Sequence, residues 1–179
     1  MTEVAKTYGG ALYDLAVEEK NSEILLEELK VLSEAFEENP DFVKLLKTPA
    51  LKKEERIAVL DQSFGGKINV NVLNFIKILL EKNYLNDFKG CVEEFRNRFN
   101  DENNIEEVTA VTAVPLSEEL AGKLTEKLTK LSGKKVLLEN RVDTSVLGGV
   151  RLEMNGTQYE GTVQQQLESI RRKITETII

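Results

Sequence analysis

Histidine is absent from the 179 residues, and the chain holds a single cysteine, Cys91, and only three prolines. The missing imidazole removes the commonest general acid–base, the Ser-His and Cys-His nucleophile pairs and the commonest metal ligand. One cysteine excludes an internal disulfide and any Cys-based zinc site, and its rarity fits a reduced compartment. No apolar run reaches the ~18 residues that a membrane span needs. The opening MTEVAKTYGG lacks the apolar core of a secretory signal. A cationic surplus is missing too. Lys plus Arg is 24 against 31 Asp plus Glu, a net charge of −7, which speaks against nucleic acid as a partner because phosphate binding needs a basic surface. These absences predict a soluble, non-catalytic protein without cofactor or metal. The length suits one domain or two small ones and suffices to bury a real core.

The patterning divides the chain into unlike halves. Up to residue ~104 the apolar spacing is helical throughout. Tyr8, Leu12 and Leu15 give one stripe, and Leu25, Leu29, Leu32 and Phe36 give the next. Asn39-Pro40 predicts a stop and a new start, with Asn39 as N-cap and Pro40 in the first turn. Phe42, Leu45 and Leu46 follow before Thr48-Pro49. Ile57, Leu60 and Phe64 form a fourth stripe closed by Gly65-Gly66. Val72, Phe75, Ile76, Leu79 and Leu80 make a fifth with full i, i+3, i+4, i+7, i+8 spacing. Leu85, Phe88, Val92, Phe95 and Phe99 make a sixth. Six short helices with short connections predict a bundle over residues 1–104. Asp101 to Asn104 reads as a linker. The remainder, 105–179, reads as a small α+β domain. A strand is expected at Glu107–Val114, a helix capped by Ser117 and closed by Gly133, and a strand at Lys135–Arg141. A hairpin follows, with its return strand at Thr157–Glu160, turning on Asn155-Gly156. A last helix carries Val163, Leu167, Ile170, Ile174 and Ile178. Charge is uneven: −6 before residue 105 and −1 after it.

Few residues suggest chemistry. Gly148-Gly149 has no phosphate-loop frame and reads as a bulge or close backbone approach. Asp143, Thr144 and Ser145 read as a turn, since nothing obvious activates the serine. The acidic pairs Glu18-Glu19, Glu27-Glu28 and Glu37-Glu38 point about 100° apart on a helix and read as solvated faces. Cys91 reads as a small core residue. Arg171-Arg172-Lys173 favours a helix C-terminus through the dipole, with an anionic partner as the alternative.

Two helices are apolar over too wide an arc. In the fifth, Phe75, Leu79, Val72, Ile76, Leu80 and Leu73 cover roughly 160°, and Ile78 extends this to roughly 220°. In the first, Ala11, Leu15, Tyr8, Leu12 and Ala16 form the stripe, with Tyr13 and Val17 outside it. Such helices are either fully buried or touch something on a second side. The second alternative is a groove between the two that receives an amphipathic helix from another chain.

Three blocks carry a resemblance that spans the chain. They are AKTYGGALYDLAVEE (Ala5 to Glu19), NFIKILLEKNYL (Asn74 to Leu85) and NRVDTSVLGGVRLEMNGTQYEGTVQQQLESIRRKI (Asn140 to Ile174). The chain resembles the delta subunit of the bacterial F-type ATP synthase, whose mitochondrial counterpart is the oligomycin-sensitivity-conferring protein. The third block, with its Asp-x-Ser and Gly-Gly run, is the most specific. The first block more often reads Arg-Pro-Tyr-Ala where this chain has Lys6-Thr7-Tyr8-Gly9, and the second often ends in Gly-Arg where it has Asn83-Tyr84.

The resemblance implies a non-catalytic stator subunit that ties the catalytic head to the peripheral stalk, so that proton- or sodium-driven rotation is coupled to ATP synthesis. It implies a single copy in a hetero-oligomeric complex at the cytoplasmic face of the bacterial plasma membrane, without membrane insertion. An N-terminal six-helix bundle would bind N-terminal helices of the alpha subunits between its first and fifth helices. The C-terminal domain would meet the C-terminal ends of the b subunits. Combined with the wide faces, this nominates Tyr8, Ala11, Leu12, Leu15, Phe75, Ile78, Leu79 and Lys82 for the alpha groove. Val150, Leu152, Leu167, Ile170 and Ile174 are nominated for the stalk. The alternatives are an unrelated helical adaptor or regulatory scaffold with a similar groove, and an enzyme using carboxylate or lysine chemistry. The lack of a convergent polar set argues against the latter.

Overall fold

Three helices begin on the same device. A short polar side chain just ahead of the first turn accepts one of the backbone N–H groups that a helix start leaves unpaired. Thr2 Oγ1 accepts from the Ala5 N–H at 3.1 Å, Asn69 Oδ1 from Asn71 at 2.8 Å, and Ser117 Oγ from Leu120 at 3.3 Å. A computed structural model describes residues 2–48, 51–146, 148–154 and 156–162. Its helices are α1 (Glu3–Glu18), α2 (Ser22–Glu38), α3 (Pro40–Lys47), α4 (Lys53–Phe64), α5 (Val70–Glu81), α6 (Phe88–Glu102) and α7 (Glu118–Ser132). A 3-10 turn, Leu85–Asp87, leads into α6. The strands are β1 (Ile105–Thr112), β2 (Lys135–Val142), β3 (Gly149–Met154) and β4 (Thr157–Thr162). With a four-stranded mixed sheet beside the helices, the chain is of the α+β class. It divides into two compact units, Met1–Phe99 and Asn100–Ile179.

Several helix ends differ in mechanism from the expected one. Asn39 stands at the N-cap of α3, but its side chain turns back and donates to the Ala35 carbonyl at 2.9 Å. It therefore closes α2 rather than opening α3. Only Asn103 and Asn104 separate α6 from β1, because α6 runs on through Asp101 and Glu102. Asn104 takes φ 52°, and its carbonyl accepts the Lys135 N–H at 2.8 Å, so β1 starts at Ile105 rather than Glu107. Asn83, at φ 60°, ends α5 in the left-handed region that asparagine tolerates better than most residues.

In the first unit the core is built from Leu25, Leu29, Leu46, Leu60, Ile76, Leu79 and Phe95, all fully buried. A chain of rings runs through it. Phe36 lies 5.1 Å from Phe88 and 6.2 Å from both Phe42 and Phe64, while Tyr13 meets Phe95 edge-on at 5.2 Å. The stripe expected on α1 is rotated. Ala5, Gly9, Gly10, Leu12, Tyr13 and Ala16 face inward, while Ala11 and Leu15 face out. The cause is Gly9. A Cβ there would sit 2.5 Å from the Cys91 carbonyl oxygen, so the absent side chain lets α6 press against α1. A count of large apolar residues sees nothing on that side. Arg98 of α6 lies over Gly10 and pairs with Glu94 at 2.9 Å and Asp14 at 3.3 Å.

The second unit is a sheet in the order β2-β1-β3-β4, with β1 and β2 parallel through α7 and the other pairs antiparallel. The register places Val108, Ala110, Val136, Leu138, Val150, Leu152, Met154 and Tyr159 on one face. The opposite face carries a ladder of charges. Arg141 donates to both Glu153 oxygens at 2.9 and 3.0 Å, and Arg151 lies 3.5 Å from Glu153 and 3.8 Å from Glu160. Val111 pairs with Arg141 on one side and Arg151 on the other, and is fully buried on this polar face. Long arginine stems cover such a residue without leaving water. Asn140 ties the β1–α7 connection by donating to the Ala110 carbonyl and Thr112 Oγ1 and accepting the Leu116 N–H. The last helix expected from Val163 onward lies outside the described residues, as does Asn155 of the hairpin; Gly156 takes φ 72°.

Phe95 offers the sharpest test of this packing. Phe95→Ala should cost about 3–5 kcal/mol of stability in urea unfolding followed by far-ultraviolet circular dichroism. A loss under about 1 kcal/mol would contradict a core centred on the Tyr13–Phe95 contact.

Candidate functional site

α1 and α5 are joined through side chains at two points. At one end Asn71 Nδ2, in the first turn of α5, donates to Glu19 Oε2 just past α1 at 2.6 Å. At the other, the Tyr8 ring of α1 meets Tyr84, just beyond α5, at 5.8 Å in an edge-on contact. The start of one helix thus meets the end of the other, and the pair runs antiparallel. On α1 the residues between the clips at helical spacing are Ala11 and Leu15; on α5 they are Asn74 and Ile78, with Lys82 following.

The nominated groove residues therefore fall into two sets. Leu12, Phe75 and Leu79 are buried core. Tyr8 is half-buried within one clip, and Ala11, Leu15, Ile78 and Lys82 are exposed. Leu15 is 38% exposed and Ile78 44%, so the wide arc of α5 is resolved by burial of about 160° and exposure of Ile78 beyond it. Tyr13, placed outside the stripe by spacing, is core, and Val17 is exposed. Glu19, Asn71 and Tyr84, which join the two helices, were not among the nominated residues. Their signal was weak, since polar residues at helix ends read as caps.

The second candidate is the apolar face of the sheet. Val108, Val136, Leu152, Met154, Tyr159 and Leu128 surround a cavity of about 330 Å³ with Leu131 and Ser132. Val150 and Leu152 share this face, and only Leu152 lines the cavity. The leucine stripe of α7 covers the sheet incompletely. Leu131 is 84% exposed, and α7 buries none of its residues fully. Leu167, Ile170 and Ile174 lie outside the described residues. Leu128, Leu131, Met154 and Tyr159 join the candidate set. Spacing alone could not separate them from residues packed under a helix.

The chemical candidates resolve into structural parts. Ser145 donates its backbone N–H to Asp143 Oδ1 at 2.9 Å and its hydroxyl to the same oxygen at 2.6 Å. This is a turn in which the serine is a donor, and those two bonds hold the Asp143 carboxyl below its ordinary pKa. Gly148 and Gly149 both have positive φ, at 138° and 82°, and lead into β3. No group of carboxylates and cysteine suited to a metal occurs among the described residues. None of the described helices is long and apolar enough to cross a membrane. Cys91 is buried against α1, and burial, with the Asp87 charge adding to it, pushes its thiol up to about 11.

Among the described residues these observations single out two apolar surfaces. A model of the ATP synthase delta (OSCP) subunit family matches residues 4–174. The ATP synthase subunit delta of Clostridioides difficile (strain 630) is 34% identical over 179 residues, spanning 98% of this chain and 97% of its own. That of Alkaliphilus metalliredigens (strain QYMF) is 34% identical over 176 residues and 98% of both chains. A chain from the cryo-EM structure of the Toxoplasma gondii mitochondrial ATP synthase hexamer shares the fold. It superposes with a TM-score of 0.75 over 97% of this chain and 98% of its own, at 18% identity.

The raised thiol has a measurable consequence. The fold favours the neutral thiol, so this contribution to stability is complete below an unfolded pKa of about 8.5 and is lost as pH rises through about 11. At pH 8, alkylation of native Cys91 by iodoacetamide should run roughly a hundredfold slower than in urea-unfolded chain, read by intact mass. Equal rates would place Cys91 outside the core.

Proposed function

Since the chain belongs to the ATP synthase delta (OSCP) subunit family, we propose that the strip between α1 and α5 receives an amphipathic N-terminal helix of an ATP synthase alpha subunit. The apolar sheet face receives the C-terminal end of the b-subunit stalk. The protein is a structural, non-catalytic subunit of the F-type ATP synthase, a peripheral component that links the catalytic head to the stalk and so couples rotation to ATP synthesis. The bacterial origin of the relatives supports a place at the cytoplasmic face of the plasma membrane, in one copy per complex.

The observation that carries the alpha-helix reading is the pair Leu15 and Ile78, exposed between two clips on helices whose inner faces are already buried. A neighbouring helix that covers such side chains gains about 1.5–3 kcal/mol for each one fully buried. A few such contacts with a polar rim approach the about −12 kcal/mol of a nanomolar complex. Attachment at two surfaces raises the avidity further. The six helices of residues 1–104 act as one bundle that presents the strip, and residues 105–179 act as the stalk-facing domain. The division of contacts after Phe99 supports this partition. An unrelated scaffold with a similar groove would not share two 34% identical full-length relatives.

Ile78→Asp should abolish calorimetric binding of a synthetic alpha-subunit N-terminal peptide while circular dichroism keeps the wild-type helix content. Undiminished binding by the folded variant would move the site elsewhere. Residues 1–104 expressed alone should give a soluble helical domain with a cooperative melt that still binds the peptide. A molten or insoluble fragment would refute the partition.

A further inference from the structure

The first unit also holds an open, shallow cavity of about 360 Å³ between α2, α3 and the turn into α6. This is within the range of small-molecule pockets, toward the low end. Its apolar lining comes from Phe36, Pro40, Val43, Leu85 and Phe88. Phe36 and Phe88 are themselves core rings, 5.1 Å apart, so the floor is fixed by the aromatic chain beneath it.

The charges around this cavity run against those of the unit. Residues 1–104 carry a net −6, yet the lining includes Lys44, Lys47 and Lys89 against one acid, Glu37. Glu37 is taken up by Lys89 at 2.6 Å. Lys44 pairs with Asp41 at 2.9 Å, a carboxylate 92% exposed and outside the cavity, so solvent screens that pair. Lys47 makes no ion pair among the described residues. Lys44 and Lys47 stand one turn apart in the last turn of α3, beside Val43. An apolar floor with one ammonium group unpaired among the described residues, Lys47, and a second, Lys44, held only by an exposed ion pair matches a ligand that has an apolar body and one anionic end.

We propose that this cavity is a binding site for an amphiphilic monocarboxylate, with its chain against Phe36, Val43 and Phe88 and its carboxylate at Lys44 and Lys47. None of its lining residues belongs to the sets nominated for the alpha groove or the stalk.

Decanoate is the probe. Titrated into the full-length protein, it should saturate one site by calorimetry and shift the Phe36 and Phe88 ring resonances, while decanol binds at least tenfold more weakly. The double variant Lys44→Gln/Lys47→Gln, at exposed positions, should weaken decanoate about tenfold and leave decanol unchanged. Asp41→Asn, which releases Lys44, should tighten decanoate by a few-fold, a gain that no folding defect produces. Absence of saturable binding, equal affinity for decanol, indifference to these substitutions, or shifts confined to Met154 and Tyr159 would each overturn the proposal.

Discussion

With no side chain at position 9, the backbone of α1 comes against the Cys91 carbonyl of α6. That approach sets the rotation of the first helix about its own axis. It turns Tyr13 inward onto Phe95 and seats Ala5 and Ala16 in the core. It also leaves Ala11 and Leu15 exposed. Were α1 to present its stripe of large residues inward, Leu15 would be core and the strip would lose one side. The burial of Cys91 follows from the same contact, so thiol, glycine and exposed leucine are linked through one interhelical distance.

The two surfaces are open for different reasons. The strip on the helical unit is surplus: α1 and α5 satisfy the core with one face and retain apolar residues on a second. The sheet face is a deficit. Its strands alternate, apart from Val111 and Leu137 on the salt-linked charged face and Glu106 on the apolar one, but α7 buries no residue fully and leaves Leu131 almost entirely in water. In the first case a helix docked as proposed would cover a ridge beside a finished core. In the second it completes a layer that the described residues leave thin.

Much of this was legible in the sequence, because period and punctuation carry it. The α5 stripe, the Ser117 cap, the Gly133 stop with φ 70° and the two-residue separation of β3 and β4 all rest on local rules. What failed did so where a neighbour overrides the local pattern. Gly9 and Gly10 carry no hydropathy signal, yet they determine which face of α1 is buried. Asn39 has the residue type of a cap but spends its amide on the preceding helix. The linker dissolved into α6 because charged residues at a helix end resemble charged residues in a loop. Of the groove set, Ala11, Leu15, Ile78 and Lys82 are exposed and Leu12, Phe75 and Leu79 are buried, a division that spacing could not make. The joining residues Glu19, Asn71 and Tyr84 needed three-dimensional proximity to be seen.

The clips at the two ends of the α1–α5 pair bear on how a stator carries load. A guest helix laid along this pair is resisted over its whole length when pulled along its axis, because sliding must strip every buried side chain at once. Lifted from one tip, the same helix would detach a turn at a time against a small force. Links at Tyr8–Tyr84 and Glu19–Asn71 would oppose separation of the two host helices near the places where such peeling starts. Were a guest helix seated there as proposed, the strip would hold it more firmly against a pull along its length than against lifting at one tip.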